Sequence, residues 1–142
     1  MRRRLARMAI LAMAGLGAAT LHAQTPTQPA ERPKLVAPVR GEARIGHLRP
    51  DTKVVGNDVV TVIQVKNLMS QPIAGLKIEE FWYDKANNLV PGASETVRKP
   101  IQPNEVVTVT LKTPKDSRMS QNRYRFSHAN GAIKPELMKT LK

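Results

Sequence analysis

The chain has 142 residues, enough for one small domain, and 41% of them are apolar, which argues against wholesale disorder. It contains no cysteine, so disulfides, thiolate metal sites and a cysteine nucleophile are excluded. The formal charge is +12. Four of the 23 basic residues and none of the 11 acidic ones precede residue 24, so about +8 remains beyond that point. Such a charge favours anionic partners or simply solubility, and identifies no site.

Residues 1–23 have the three regions of a secretory signal peptide. An arginine-rich start is followed by an uncharged Ala- and Leu-rich run over residues 8–20 and by a small residue, Ala23, before Gln24. The apolar run is shorter than the ~20 residues that span a bilayer. We therefore predict cleavage after Ala23, no transmembrane segment in the mature chain, and a periplasmic or secreted protein. Arg2-Arg3 leaves the twin-arginine route open beside the general one.

Residues 24–44 are predicted to be a disordered, proline-rich linker. Four prolines lie among glutamine, threonine and charged residues, a composition that gives an extended tether with nothing to pack. Leu35, Val36 and Val39 are the exception, and would add at most a short strand that Pro38 confines to an edge.

From Ile45 the sequence has the pattern of short strands separated by turns. Strands are predicted over residues 58–66, 76–84, 89–98, 106–113, 123–127 and 132–141. Pro91-Gly92 indicates a bulge or kink, and Asn130-Gly131 is the strongest hairpin signal. Pro135 would keep the last strand at an edge, and residues 136–141 would alternatively form a helical turn.

The strand over residues 76–84 holds the only tryptophan and is predicted to be central. No stretch between residues 45 and 135 keeps a helical period of apolar residues. We therefore predict an all-β fold, an antiparallel sandwich of six to seven strands like immunoglobulin or fibronectin-III domains, in one domain over residues 45–142.

Several of these segments together resemble the bacterial FxLYD domain. They are Ile63-Gln64-Val65-Lys66-Asn67, Pro72-Ile73, the aromatic run that ends in Tyr83-Asp84, and Asn87-Asn88-Leu89-Val90, followed by Pro103-Asn104-Glu105 and Tyr124-Arg125-Phe126. The similarity covers about residues 58–126. It implies an exported immunoglobulin-like module used for interaction, and it carries over no catalytic residue.

Two residues of the central strand need an environment of their own. We predict that Trp82 belongs to the core, where sandwiches of this kind place a large aromatic. Strand alternation puts Glu80 on the same face, and a buried carboxylate without a partner is costly. We therefore predict that Glu80 lies at the rim or at a strand irregularity, with an ion pair to an arginine as the alternative.

The best candidate binding residues are Phe81, Tyr83, Arg123 and Arg125. In an immunoglobulin-like strand order, the strands that carry them are neighbours, and alternation puts all four on the outward face. Aromatic residues and arginines are enriched at the energetic centres of interfaces. The simpler interpretation is that the arginines pair with Glu79 across strands and that Phe81 is covered by a terminal segment.

No catalytic or metal site is predicted, and no cofactor is expected. His47 and His128 are the only histidines beyond residue 23, and they lack the spacing of metal ligands. Lys112, Lys115, Arg118 and Arg123 would make a basic patch, without a recognised motif for specific nucleic-acid binding. The sequence therefore predicts a non-catalytic exported module that binds a protein or an envelope component, with an electrostatic binder of an anionic polymer or lipid headgroup as the alternative.

Overall fold

The computed structural model describes residues 35–142, which form eight strands and no helix. The strands are β1 Ala43–His47, β2 Asp51–Val55, β3 Asp58–Asn67, β4 Leu76–Tyr83, β5 Leu89–Val97, β6 Val106–Pro114, β7 Gln121–His128 and β8 Gly131–Leu137. The signal peptide and most of the predicted linker lie outside the described residues. Within that range there is no helix of the length and apolar character needed to cross a membrane.

The strands form one curled mixed sheet in the order β2-β3-β1-β8-β7-β4-β5, with β6 on the other side of β3. β4 was predicted to be central; it lies between β5 and β7 and is therefore interior, but it is only one strand from the edge of the sheet at β5. The prediction of purely antiparallel pairing is wrong. β8 leaves β7 after two paired residues and runs parallel to β1, with Ile45 opposite Pro135.

Two strands were absent from the sequence prediction, which gave six to seven instead of eight. β1 is five residues long, and every residue of β2 is exposed, so neither shows an alternating pattern over a useful length. Both are strands because they line the same edge of β3, at Asn67–Val65 and at Val62–Asp58 respectively. Their extended backbone is stabilised by pairing with β3 and not by a periodic apolar face.

The packed part of the chain begins earlier than the predicted boundary at residue 45. Val39 and Ala43 are buried in the core, and the Val39 amide donates to the carbonyl of Pro72. Leu35 and Val36 remain exposed and form no strand. The end of the proline-rich segment therefore packs on the domain, because burying Val39 and Ala43 is favourable, although the composition of the segment is that of a tether.

The core is aliphatic, as the low aromatic content predicts. Its buried members are Val39, Ala43, Ile45, Ile63, Val65, Ile73, Leu76, Ile78, Ile101, Val109 and Leu111. The predicted irregularity at Pro91-Gly92 is confirmed, because the register between β4 and β5 shifts between Glu80 and Trp82. A Cβ atom on Gly92 would lie 1.9 Å from the Glu80 carbonyl oxygen, so only glycine fits this close backbone approach.

The predicted hairpin at Asn130-Gly131 is confirmed, with a small shift in its turn. β7 ends at His128 and β8 begins at Gly131, so the two turn residues are Ala129 and Asn130. The alternative of a helical turn over residues 136–141 is not found.

Candidate functional site

The structure brings the four predicted binding residues together on the outer face of β4 and β7. Phe81 is directly opposite Arg123 in the register of the two strands. The Arg123 guanidinium lies 5.4 Å from the ring centroid of Tyr83, and the Arg125 guanidinium lies 5.2 Å from that of Phe81. Each arginine thus stacks diagonally on an aromatic ring of the neighbouring strand, within the range of a cation–π interaction.

One apolar residue that sequence reasoning missed extends this surface. Leu89 pairs with Tyr83 across β4 and β5, so its side chain points to the same side of the sheet, and it is 62% exposed. Its position opposite Tyr83 depends on the bulge at Gly92, and spacing in the sequence does not show it. We call Phe81, Tyr83, Leu89, Arg123 and Arg125 the aromatic–arginine face.

Glu79 neutralises one of the two arginines. Its carboxylate accepts a 2.9 Å hydrogen bond from Lys77 and a 2.7 Å bond from Arg125. The hydrogen bond from Lys77, and after it the one from Arg125, hold the pKa of Glu79 below its usual value. Arg123 has no carboxylate within ion-pair distance among residues 35–142. The simpler interpretation was that both arginines pair with Glu79 across strands. This pairing is present for Arg125 and absent for Arg123.

The opposite face of β4 carries a buried polar cluster. Glu80 is 2% exposed and has no arginine partner, so the predictions of a rim position and of an ion pair are wrong, whereas the predicted strand irregularity is present as the register shift next to Glu80. Its Oε1 accepts hydrogen bonds from Thr61 at 2.8 Å, Asn122 at 3.0 Å and Tyr124 at 3.2 Å, and Thr113 lies 3.5 Å from Oε2. Hydroxyl and amide donors from three other strands thus take the place of a charged partner.

Two further hydrogen bonds extend this polar cluster. Thr52 of β2 is 3.0 Å from the Thr61 hydroxyl, and the Asn122 amide also donates to the Tyr124 hydroxyl at 2.7 Å. The pKa of the Tyr124 hydroxyl is raised, and burial is the main cause. The sequence signal for such a cluster was Glu80 on an apolar face, but its partners are 19 to 44 residues away along the chain.

Trp82 is half-buried and is not part of the aliphatic core, so its predicted core position is wrong. It forms part of the wall of a pocket of about 280 Å³ between β2, β3 and the loop after β6. The extra residue of the bulge belongs to β5, where Pro91 and Gly92 lie opposite Phe81, while β4 keeps a regular register with β7 through Tyr83. The indole therefore lies near the end of a regular strand, against this pocket and not in the aliphatic core.

The histidines have structural contacts. His128 Nε2 is 2.7 Å from the Gly41 carbonyl oxygen, which ties the segment before β1 to the hairpin of β7 and β8. His47 lies against Phe126, with ring centroids 5.2 Å apart. Among residues 35–142 no group of three or more histidines and carboxylates is placed to hold a metal ion.

The predicted basic patch is partly neutralised. Lys112 pairs with Asp58 at 3.1 Å, and Arg118 pairs with Asp116 at 2.6 Å. Hydrogen bonds from Arg118 lower the pKa of Asp116 to about 2. Of the four residues of the predicted patch, Lys115 and Arg123 have no carboxylate within ion-pair distance in the described part of the chain.

Comparison with known proteins adds little to this geometry. No family model and no curated protein sequence matches the chain. Among solved structures, the chain is similar to IrmA from Escherichia coli, with a TM-score of 0.48 and 13% sequence identity over 70% of this chain and 97% of that one. A similarity at this level carries no argument about fold or function, and the resemblance to FxLYD domains stays a prediction from the sequence.

Proposed function

We propose that this protein is a non-catalytic exported module that binds another protein through its aromatic–arginine face. The observation that carries the proposal is the pair of arginine–aromatic stacks, Arg123 on Tyr83 and Arg125 on Phe81, side by side on two neighbouring strands. The immunoglobulin-like sandwich, the signal peptide and the FxLYD resemblance are parts of the same proposal.

Stacking makes this surface suitable for binding because it orders the arginines in advance. A free arginine loses side-chain entropy when a partner immobilises it, and this loss opposes association. Arg123 and Arg125 are exposed but already lie over the half-buried rings of Tyr83 and Phe81. A partner that contacts these arginines therefore costs them less side-chain entropy than it would cost unstacked arginines, and the affinity is correspondingly higher.

The charges on the face indicate the chemistry of the partner. Glu79 pairs with both Lys77 and Arg125, whereas Arg123 lacks a carboxylate among residues 35–142. Leu89 adds exposed apolar area next to Tyr83. The complementary surface is therefore that of a protein with a carboxylate beside an apolar patch, a combination in which the apolar contact supplies affinity and the charge sets orientation.

The alternative is an electrostatic binder of an anionic polymer or lipid headgroup, favoured by the excess of positive charge. Such binding depends on total charge and falls steeply with salt. Binding to the aromatic–arginine face depends on the position of two arginines and is less sensitive to salt.

A comparison of two double variants distinguishes these functions. Arg123→Glu with Arg125→Glu inverts the face, whereas Arg49→Glu with Arg98→Glu changes the net charge equally at exposed positions elsewhere, neither of which has an ion pair among the described residues. Both are used with the wild type as baits for cross-linking to native cell envelope, after circular dichroism shows that all three are folded. We expect the face variant alone to lose a defined protein partner that persists at 0.5 M salt, a concentration that screens exposed charges at roughly 4–5 Å.

Two results would count against this proposal. Equal loss in both double variants, with release by moderate salt, would favour the electrostatic function. A captured protein that both variants retain would place the binding surface elsewhere. Export is tested separately by sequencing the N-terminus of protein recovered from the periplasm or medium, where we expect Gln24.

A further inference from the structure

The pocket beside Trp82 has an apolar wall formed by parts of the chain that are far apart in sequence. Val54 and Val59 contribute from β2 and β3, Trp82 from the end of β4, and Met119 from the loop after β6. Its volume is about 280 Å³. A dry apolar cavity of roughly 150 Å³ holds a benzene molecule. This pocket can therefore accept a phenyl ring together with a short polar chain.

The Trp82 side chain presents its ring to the pocket, whereas its hydrogen-bond donor is buried and unpaired. The indole Nε1–H is shielded from solvent and donates to no acceptor, and it is the one buried side-chain nitrogen or oxygen in this condition among residues 35–142. Buried donors in native proteins nearly always have a partner, so this one is an exception. Because the nitrogen atom has almost no accessible surface, an occupant of the open pocket contacts the indole ring and not this N–H group.

The charges at the pocket mouth favour an anion. Lys53 is paired with Asp51, and Asp116 is paired with Arg118, so these charges compensate each other. Lys115 lines the pocket and has no carboxylate within ion-pair distance in the described part of the chain. The lining of this apolar pocket therefore includes one exposed lysine whose charge is uncompensated.

From the apolar wall, the volume of the pocket and the unpaired charge of Lys115, we infer that the pocket binds a small aromatic carboxylate. The ring packs against Trp82, whose face and edge suit an aromatic partner, and against the Met119 thioether, which also favours aromatic rings. The carboxylate pairs with the Lys115 ammonium at the edge of the pocket. An apolar pocket with a polar group that fixes the orientation of the ligand is typical of small-molecule sites.

This site is separate from the aromatic–arginine face. Trp82 points away from the side of β4 that carries Phe81 and Tyr83, because successive strand residues face opposite sides. Loss of the proposed protein partner and loss of the ligand can therefore be observed independently. The double variant of Arg123 and Arg125 is used in both experiments: it should lose the protein partner and keep the small ligand.

The sole tryptophan allows direct observation of the site. In the full-length protein, the one indole ¹⁵N–¹H resonance in an NMR spectrum belongs to Trp82. The probes are 3-phenylpropanoate, 3-phenylpropanol, which has the ring without the charge, and acetate, which has the charge without the ring. We expect a saturable shift of this resonance with 3-phenylpropanoate, because the ring packs on the indole, and a Kd of roughly 1–10 mM, as for a ligand of this size.

Two variants test the role of the ammonium group. Lys115→Met should raise the Kd for 3-phenylpropanoate by about three- to five-fold, the range of one partly exposed ion pair. Lys134→Met, an exposed lysine on β8 away from the pocket, should leave it unchanged. The double change Arg123→Glu with Arg125→Glu should also leave the indole shift unchanged.

Three results would overturn the inference. The first is the absence of a saturable indole shift up to about 50 mM 3-phenylpropanoate, well above the Kd expected for a ligand of this size. The second is equal binding of 3-phenylpropanol, which would remove the carboxylate from the assignment. The third is much tighter binding of the tripeptide Gly-Gly-Phe than of 3-phenylpropanoate, lost in the peptide amide, which would make the occupant a chain terminus instead of a small molecule.

Discussion

Replacing Glu80 tests whether the buried polar cluster stabilises the fold. Its Oε1 accepts from three donors, whereas its Oε2 has only the Thr113 hydroxyl, at 3.5 Å. Glu80→Leu removes every acceptor, and Glu80→Gln keeps one oxygen. The glutamine amide nitrogen can then donate to Thr113, because a hydroxyl rotates to accept as readily as to donate. The two variants therefore separate the need for an acceptor from the need for a charge.

The structure sets the size of the expected effect. After Glu80→Leu, the Thr61 hydroxyl can still bond to Thr52 and the Asn122 amide to Tyr124. The hydroxyls of Tyr124 and Thr113 are then the donors that lose their acceptor. Each orphaned buried donor costs about 1–3 kcal/mol, and lost bonds to a carboxylate add to this. We expect Glu80→Leu to lower the free energy of unfolding by about 2–4 kcal/mol and Glu80→Gln by about 1 kcal/mol or less.

Urea unfolding followed by Trp82 fluorescence measures both variants. With an m value of about 1.3 kcal/mol/M for a domain of this size, Glu80→Leu should lower the midpoint by roughly 1.5–3 M. Glu95→Gln is the matched control, since Glu95 is an exposed carboxylate on β5 and its loss should change stability by less than about 0.5 kcal/mol. Greater stability of Glu80→Leu would refute the reasoning, because it would mean that burying the carboxylate costs more than its hydrogen bonds return.

Three further changes test other parts of the structure. Trp82→Ala should cost about 1–3 kcal/mol in urea unfolding followed by circular dichroism, less than for a fully buried tryptophan, and a loss above 4 kcal/mol would return it to the core. Gly92→Ala should destabilise by at least about 2 kcal/mol, because the new methyl group meets backbone, whereas Ser94→Ala should be neutral; equal effects would remove the bulge argument. Arg118→Gln should raise the pKa of Asp116 from about 2 toward 3.8 in a carboxyl NMR titration. Since that folded pKa is depressed, the stabilisation from this pair is present above pH 4 and is lost as the pH falls toward 2, and an unchanged pKa would contradict the pairing.

Part of the candidate surface was accessible from the sequence. Strand alternation placed Phe81 and Tyr83 on one face of β4, and the assumed neighbouring of β4 and β7 placed Arg123 and Arg125 beside them, as the register shows. Leu89 was missed because its position depends on the register shift at the bulge. A one-residue shift exchanges the faces of a strand, so the side on which Leu89 lies follows from pairing and not from spacing.

The buried side of β4 was less accessible. The sequence identified Glu80 as a residue in need of a partner, but the partners Thr61, Asn122 and Tyr124 belong to strands β3 and β7. An arginine was expected because charge pairing is the familiar way to bury a carboxylate. Neutral donors can serve equally when several converge, and convergence is a property of the assembled sheet.

Local chemistry by itself determined the all-β class, six of the eight strands, the hairpin before Gly131 and the bulge at Gly92, because turn residues and side-chain alternation act over a few neighbouring positions. Only the tertiary structure decided the parallel pairing of β1 with β8, the burial of Val39, the donors around Glu80 and the place of Trp82 at a pocket. Each of these features depends on contacts between residues far apart in the chain. Such contacts stabilise the protein only once the strands have come together, so they produce no periodic pattern in the sequence.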